Sequence, residues 1–309
     1  MATAAEGVAS EVSLLRERLR WDLRRARAFA LLLIRNRLAF IGLVIILFFL
    51  ALSLLAPVLV GPYPLPNQGT TPYLPPSDRH LLGTDYQGRD IWTLLLYGGQ
   101  ISLLIGFTSS AVAMILGTAV GLAAGYYGGL TDTTLARATD FFLVIPWLPF
   151  VIVLSAVMGP SLQTTIIAIA VVSWPTTARV IRSQVLTLKE RLFIERARAF
   201  GSPNRYIIRR HILPNAMPLV WAEAVLTISN AVFTEAFLSF FGLGPRGTGV
   251  IVSWGTMVNQ SYTHLALITN PPMWWYFLPP GLAITLVVLG FAMLGYGLEE
   301  VFNPRFRKR

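Results

Sequence analysis

The chain contains the segment Glu195-Arg-Ala-Arg-Ala-Phe-Gly-Ser-Pro-Asn-Arg-Tyr-Ile-Ile-Arg-Arg-His-Ile-Leu-Pro214, a strongly basic stretch that lies between long apolar runs. Gly201 is a favourable residue just after a helix, because glycine tolerates the left-handed conformation found there. Ser202 then suits an N-cap, and Pro203 suits the first position of a second helix. The pattern predicts a helical hairpin over 182–214 that turns at Gly201.

The first helix of this hairpin is expected over 182–200, and the second from Pro203 to about Ile212. An ordinary amphipathic connection would rest on lipid headgroups with its charges on one face. Both hairpin helices instead carry charge around much of their surface, with Glu190 and Glu195 among the basic residues. This distribution favours a surface that another protein contacts.

The composition indicates a membrane protein. Of the 309 residues 54% are hydrophobic and only 13% are charged, which is about half the charge of a typical soluble domain. Several apolar runs reach the ~18 residues that cross a bilayer as a helix. We therefore expect an all-α integral membrane protein with six transmembrane helices, at about 38–60, 101–124, 141–158, 162–180, 215–242 and 277–297.

The positions of the basic residues predict the orientation. Eight arginines precede the first span from Arg16 to Arg37, and a second basic cluster lies between the fourth and fifth spans. The opposite side receives only Arg79, Arg89 and Arg246. Because Lys and Arg stay on the cytoplasmic side, both termini are expected in the cytoplasm. The net charge of +10 is thus a topology signal, and no nucleic-acid partner is expected.

These boundaries divide the chain into successive parts. An amphipathic cytoplasmic segment, the first span and an external connection come first, and a core of five spans with the hairpin is followed by a basic tail. The corresponding ranges are 1–37, 38–60, 61–100, 101–300 and 301–309. No cleavable signal peptide is expected, because the first apolar run begins late and is too long for one.

Metal and thiol chemistry find little support in the sequence. The chain has no cysteine, which excludes disulfides and thiolate sites. Its three histidines, His80, His211 and His264, fall in loops on different sides of the membrane in the predicted topology. We therefore expect no metal site and no cofactor bound by this chain.

Two features of the second and third spans concern helix packing. Gly117, Gly121 and Gly125 recur every four residues, which lines one helix face with small residues and permits close approach of a neighbouring helix. Pro146 and Pro149 require the third span to kink or break. Such a break is a candidate border of a translocation path, although proline is also common in membrane helices.

The fifth span contains Glu223 and Glu235, and an ionisable residue inside a membrane is costly enough to suggest function. The two are twelve residues apart, about 120° around a helix, so they need not share a face. Glu223 and Glu235 are candidate pathway or gating residues together with Pro146 and Pro149. For Glu235, a hydrogen bond to neighbouring backbone is an equally open interpretation.

In the external connection, Asp85 and Asp90 flank Arg89 closely enough for a local ion pair and turn hydrogen bonds. We favour a well-folded loop that seals the outer mouth over direct contact with a transported solute.

The hairpin also carries a recognisable motif. Glu195-x-Ala197-x-x-x-Gly201, followed by Leu213-Pro214, resembles the EAA loop of permease subunits in ATP-driven, binding-protein-dependent (ABC) importers. Arg196 departs from the family pattern, which has alanine there. The resemblance implies a type I ABC importer permease fold, in which the loop helix docks on the ATPase. The coupling residues it implies are Glu195, Arg196, Ala197, Arg198, Gly201, Ser202, Leu213 and Pro214.

Three further stretches resemble the C-type permease of dipeptide and oligopeptide importers. They are Leu82-Gly-Thr-Asp-Tyr-Gln-Gly-Arg-Asp90, Glu235-Ala-Phe-Leu-Ser-Phe-Phe-Gly-Leu-Gly244 and Asn303-Pro-Arg-Phe-Arg307. The implied protein is a multi-pass permease of a bacterial or archaeal plasma (inner) membrane that forms half of the translocation pathway. Relatives of this branch carry peptides, nickel chelates or oligosaccharides, and the sequence leaves that choice open.

The resemblance also implies an assembly. It comprises a second, B-type permease subunit, two ATP-binding subunits that hold ATP and Mg, an extracytoplasmic solute-binding protein and the surrounding membrane lipid. Neither Lys189 nor Lys308 follows a glycine, so the Gly-Lys-[Ser/Thr] core of a phosphate-binding loop is absent. This chain is therefore not expected to be an enzyme, and ATP hydrolysis falls to separate subunits.

Other functional classes fit less well. A six-span channel would need a selectivity filter, and an ion-coupled secondary transporter would need inverted repeats and ion ligands near the midplane. Neither pattern is evident, and no convergent nucleophile, base and metal set suggests a membrane-bound enzyme. The aromatic stretch from Trp254 to Trp275 is compatible with solute contact and equally with a membrane interface.

Overall fold

The computed structural model describes residues 31–63, 71–245, 251–264, 266, 268–269 and 272–302. Most of the predicted N-terminal segment and the tail with Asn303–Arg307 lie outside these ranges, as does Arg246. The regular structure of the described residues is helical. The helices are α1 (Arg37–Leu54), α2 (Ala56–Leu59), α3 (Ile91–Tyr127), α4 (Gly129–Val144), α5 (Trp147–Met158), α6 (Leu162–Lys189), α7 (Leu192–Ala199), α8 (Asn204–Ile207), a π-helical turn (Ile208–Ile212), α9 (Leu213–Phe240), α10 (Trp254–Thr263) and α11 (Trp274–Phe302).

The described helices account for six membrane spans. Five are long and apolar enough to cross a bilayer alone: α1, α3, α6, the continuous helix Asn204–Phe240 and α11. The sixth is the pair α4 and α5, which pass the same test together but meet at an angle of 89°. We treat the pair as one broken span because it follows α6 along its length. Its start pairs with Arg182 near one end of α6, and its later part packs on Ile169 near the other.

The glycine stripe is the contact between α3 and α6, as predicted. A Cβ atom at Gly117 would lie 2.6 Å from Thr177, and one at Gly121 would lie 2.7 Å from the carbonyl oxygen of Ala178. A Cβ at Gly125 would similarly meet Val185 at 2.8 Å. Only hydrogen at these positions allows the two backbones to approach so closely. The stripe thus fixes α3 against α6.

The first and last spans pack on each other in the same way. A Cβ at Gly42 would collide with the carbonyl oxygen of Gly290, and one at Gly297 would meet Ala39 at 2.6 Å. Asn36 adds a hydrogen bond from its Nδ2 to Glu300 Oε2 at 2.9 Å. The chain therefore closes on itself, with α1 held against α11.

The described helices differ from the predicted spans at several ends. Helix α3 begins at Ile91, ten residues before the predicted 101, because the Asp90 carboxylate accepts a hydrogen bond from Thr93 N and caps it there. The external connection is correspondingly shorter than 61–100. Helix α6 continues to Lys189, so the prediction of a separate helix over 182–200 was wrong. Hydropathy falls where arginines begin, but the helix continues beyond that point.

Candidate functional site

The hairpin turns at Gly201, as the sequence predicted. Gly201 has φ +72°, and its N–H donates to the carbonyl oxygen of Arg198 at 2.9 Å. Ser202 N–H donates to the carbonyl oxygen of Ala197 at 3.0 Å. These two bonds form a Schellman motif, which satisfies carbonyl groups at the end of α7 and fixes the exit of the chain. The N-cap of α8 is Pro203 and not Ser202, so that part of the prediction was off by one residue.

The inner face of the hairpin is buried against the spans. Ile194, Ile207 and Ile212 are each fully buried. They belong to one apolar cluster with Ile181 and Val185 of α6. Because these side chains interlock with the end of α6 and the start of α9, the hairpin is attached rigidly to both helices.

A second attachment reaches α3. Tyr126, near the end of that helix, donates a hydrogen bond from its hydroxyl to Asn204 Oδ1 at 2.7 Å. The guanidinium of Arg198 lies 5.5 Å from the centre of the Tyr126 ring, within the range of a cation–π interaction. One tyrosine thus contacts both arms of the hairpin. The hairpin is therefore connected to α3 as well as to α6 and α9.

The outer face of the hairpin presents an exposed apolar tip. Phe200 is 88% exposed and Leu192 is 70% exposed. Glu195, Arg196 and Arg198 are exposed beside them. Large apolar side chains held in the open on a rigid turn are typical of a protein interaction site. Of the predicted coupling residues, Glu195, Arg196 and Arg198 lie on this accessible side, whereas Ala197 packs against the buried apolar cluster.

Leu213 and Pro214 begin α9, whereas the sequence predicted that the hairpin helix ends before Pro214. The helix is continuous from Asn204 to Phe240, with a π-helical turn over Ile208–Ile212. Pro214 has no N–H to donate to the turn before it, and the wider π-helical turn immediately upstream accommodates this loss. The hairpin therefore leads directly into the fifth span.

A cavity of about 460 Å³ lies where the broken span meets α6 and α9. Pro146 is at the break between α4 and α5 and lines the cavity with its neighbours Ile145 and Trp147. Helix α9 contributes polar residues that recur every three or four positions and therefore share one face of the helix. Its members in the lining are Glu223, Thr227, Asn230 and Thr234.

The structure thus brings together two of the four predicted pathway residues, Pro146 and Glu223. Pro149 lies in the first turn of α5 and is outside the lining of this cavity. The break predicted from the two prolines occurs at Pro146 alone.

Glu235 lies elsewhere, in a polar cluster that is completely buried. Its Oε1 accepts a hydrogen bond from Ser239 Oγ at 2.7 Å, and its Oε2 accepts one from Ser102 Oγ at 2.9 Å. Trp254 N–H donates to the same Ser102 hydroxyl at 3.2 Å. The partners of Glu235 are therefore serine hydroxyls and not neighbouring backbone. They join α3, α9 and α10, a helix that sequence reasoning missed.

In the external loop, Asp85 and Arg89 form the predicted ion pair. Arg89 Nε donates to Asp85 Oδ2 at 2.8 Å, and both side chains are almost wholly buried. Asp90 pairs instead with His80, whose Nδ1 lies 3.1 Å from its Oδ1. Burial raises the pKa of the nearby Tyr63 hydroxyl to about 12. These contacts show that the loop is well folded, whereas its role as a seal of the outer mouth stays a prediction.

The other histidines are likewise held by local contacts. His264 stacks on Tyr86 with ring centres 3.9 Å apart, and His211 packs on Tyr206. Within the described ranges, no three histidine, aspartate or glutamate side chains are grouped so that they could hold a metal ion.

Two parts of this chain match known protein families. Residues 117–308 match the binding-protein-dependent transport system inner membrane component. Residues 27–76 match the N-terminal transmembrane domain of oligopeptide transport permease C. The second match covers α1 and the start of the external loop, while the first covers the last part of α3, the later spans and the hairpin.

Curated relatives align over nearly the full length. The dipeptide transport system permease protein DppC of Alkalihalophilus pseudofirmus is 39% identical over 273 residues, which is 88% of each chain. The oligopeptide transport system permease protein OppC of Bacillus subtilis is 36% identical, with 88% of this chain and 87% of the relative covered.

The fold has a counterpart among solved structures. An inward-facing structure of the MetNI methionine ABC transporter superposes with a TM-score of 0.52 at 20% identity, over 70% of this chain and 97% of that one. The superposition supports the overall arrangement of the helices. Taken with the match over 117–308 and the full-length relatives, it shows that the chain belongs to the family of binding-protein-dependent transport system inner membrane components.

Proposed function

We propose that this chain is the C-type permease of an importer for peptides, powered by ATPase subunits that are separate chains. The relatives that align over nearly their full length are named as dipeptide and oligopeptide permeases, which favours peptides over the other cargoes of the branch. The assembly would contain a B-type permease as the other half of the pathway, two ATP-binding subunits and an extracytoplasmic solute-binding protein. ATP and Mg would be bound by the ATPases.

The observation that carries this proposal is the rigid hairpin with its exposed tip. Phe200 is too exposed to stabilise the isolated chain, whereas the buried isoleucines behind it fix its position. Such an arrangement suits a knob that enters a groove on a partner. The ATPase is the partner that the EAA-like motif implies.

Movement of the hairpin would be passed to the pathway through α6 and α9. Both helices contact the hairpin through the apolar cluster, and both line the cavity at the broken span. ATP binding would close the ATPase pair and draw the two permeases' hairpins together. The helices would then rotate as bodies, open the cavity outward to the binding protein, and return inward after hydrolysis. Nucleotide shifts this equilibrium only because it binds the two states differently.

Gentle purification of the tagged chain from its native membrane, followed by mass spectrometry of retained proteins, tests the assembly. We expect a second permease, ATPases with phosphate-binding loops and a solute-binding protein whose bound ligand is a peptide. Phe200→Ala should reduce recovery of the ATPases, and Phe241→Ala, which removes an exposed ring beyond the other end of α9, should not. Recovery of this chain alone as a homo-oligomer, under conditions that preserve a known importer, would refute the proposal.

A further inference from the structure

The cavity where the broken span meets α6 and α9 has an unusual distribution of charge. Glu223 is the ionisable residue in its lining, and the described lining residues include no lysine, arginine or histidine. The remaining polar groups are neutral hydroxyls and one amide, from Thr227, Asn230, Thr234, Ser173 and Thr176. Among the described residues, the lining offers a solute one acidic group and no basic group.

The carboxylate of Glu223 also lacks a hydrogen-bond or ion-pair partner among the described side chains. In the described part of the chain, no side-chain donor forms a hydrogen bond with it, and no basic residue forms an ion pair with it. The nearby charged group is another acid, Glu299 of α11. Glu235 provides the contrast, because serine hydroxyls satisfy its carboxylate and it lies outside the cavity lining.

A partly exposed acid inside a membrane is costly unless it has a partner. The cavity walls add aromatic rings from Phe142, Trp147 and Phe233, whose faces attract cations. An acidic side chain of a solute would be repelled by a negatively charged Glu223. A positively charged side chain would supply the counter-ion that the protein omits.

We propose that Glu223 is a specificity-determining residue that favours peptides with a basic side chain and disfavours those with an acidic one. The inference rests on the proposed function, since it concerns the cargo of the same pathway. It assigns to the permease a selection by charge that is separate from any selection by the solute-binding protein.

The test uses the assembled transporter in proteoliposomes, with saturating binding protein. ATP-dependent uptake of Ala-Lys-Ala, Ala-Ala-Ala and Ala-Glu-Ala is measured for the wild type and for Glu223→Gln. Because the binding protein is the same throughout, a change in the ratio between cargoes originates in the permease. We expect Glu223→Gln to lower uptake of the lysine peptide relative to Ala-Ala-Ala about tenfold. Relative uptake of the glutamate peptide should rise.

Glu300→Gln is the matched control. It removes one negative charge from α11, next to Glu299, but Glu300 is exposed, bonds Asn36 and is outside the cavity lining. Its cargo ratios should equal those of the wild type. Glu223→Lys provides a second variant and should reverse the order of the lysine and glutamate peptides.

The outcomes separate the inference from the proposed function. Suppose that wild-type uptake is normal and that Glu223→Gln leaves the cargo ratios unchanged or lowers the uptake of all three peptides by the same factor. The charge selection is then overturned, while the proposed function stands. If the wild type takes up no peptide although ATP is hydrolysed, the proposed peptide cargo fails and the inference fails with it.

Discussion

Ser102 and Glu235 are 133 positions apart in the chain, yet the serine hydroxyl donates to the buried carboxylate at 2.9 Å. Ser102 lies on α3 and Glu235 on α9, and Trp254 of α10 donates its N–H to the same hydroxyl. One polar cluster therefore joins three helices near the external end of α9. In the hydrocarbon region no water is available to form hydrogen bonds with these groups. Such a cluster can therefore specify the register of the helices.

Ser102→Ala should destabilise the protein through this cluster. The change removes one donor to the Glu235 carboxylate and leaves Trp254 N–H without its acceptor. We expect a loss of about 1–3 kcal/mol, the range for leaving a buried hydrogen-bonding group without its partner. Thermal unfolding of the purified chain in detergent should show a lower Tm.

Ser155→Ala is the control for the Ser102 variant. Ser155 is also a fully buried serine in a membrane helix, but its hydroxyl has no hydrogen-bond partner within the described ranges. Removing that hydroxyl should leave Tm unchanged or raise it. Equal losses for the two alanine variants would show that the cluster contributes nothing beyond burial.

The glycine stripe makes a second prediction, on packing. Gly121→Ala places a Cβ atom 2.7 Å from the carbonyl oxygen of Ala178 and 3.0 Å from Arg182 N. These are backbone atoms, so the two helices must separate, at a cost of about 1–3 kcal/mol. Gly281→Ala, in a membrane helix with nothing within 4 Å, should be neutral or slightly stabilising. A Tm for Gly121→Ala no lower than that for Gly281→Ala would contradict the close approach of α3 and α6.

A third prediction concerns the attachment of the broken span. Arg182 of α6 forms two bonds with the Asp132 carboxylate of α4, at 2.5 and 2.8 Å, and the pair is partly buried. A double-mutant cycle with Asp132→Asn and Arg182→Gln should give a coupling of about 1 kcal/mol, measured by unfolding.

The neighbouring pair, Arg179 and Asp140, makes a single bond of 2.8 Å and is more than half exposed. Its coupling should be close to zero, because water competes for both groups. If the two cycles gave the same value, the bidentate geometry of Arg182 and Asp132 would not be what holds α4 against α6.

The sequence predicted best those features that depend on local residue type. The glycine stripe, the break at Pro146 and the turn at Gly201 each follow from a missing side chain or a missing N–H. The six spans follow from the length of the apolar runs. All of these properties depend on residues within one continuous stretch of the chain, so the residues involved are visible together in the sequence.

The features that were missed depend on distant parts of the chain. Nothing near Glu235 indicates that Ser102 would complete its hydrogen bonds, and α10 is too short to emerge from hydropathy. Pro146 and Glu223 line one cavity only because α4, α5 and α9 pack around it. The early start of α3 and the late end of α6 were missed because hydropathy marks the bilayer and not the helix.

Gly201→Val should uncouple the hairpin from its partner. Gly201 has φ +72°, and a Cβ atom added there would have no neighbour within 4 Å, so the whole cost of substitution is backbone strain. That strain is about 1–2 kcal/mol for an ordinary residue and is worst for a β-branched one. We expect ATP-dependent uptake in proteoliposomes to fall well below that of the wild type while membrane insertion is retained and Tm falls by no more than a few degrees. Gly201→Asn should retain most activity, because asparagine tolerates the left-handed conformation. Normal uptake by the valine variant would show that the Schellman turn is not required to present Phe200.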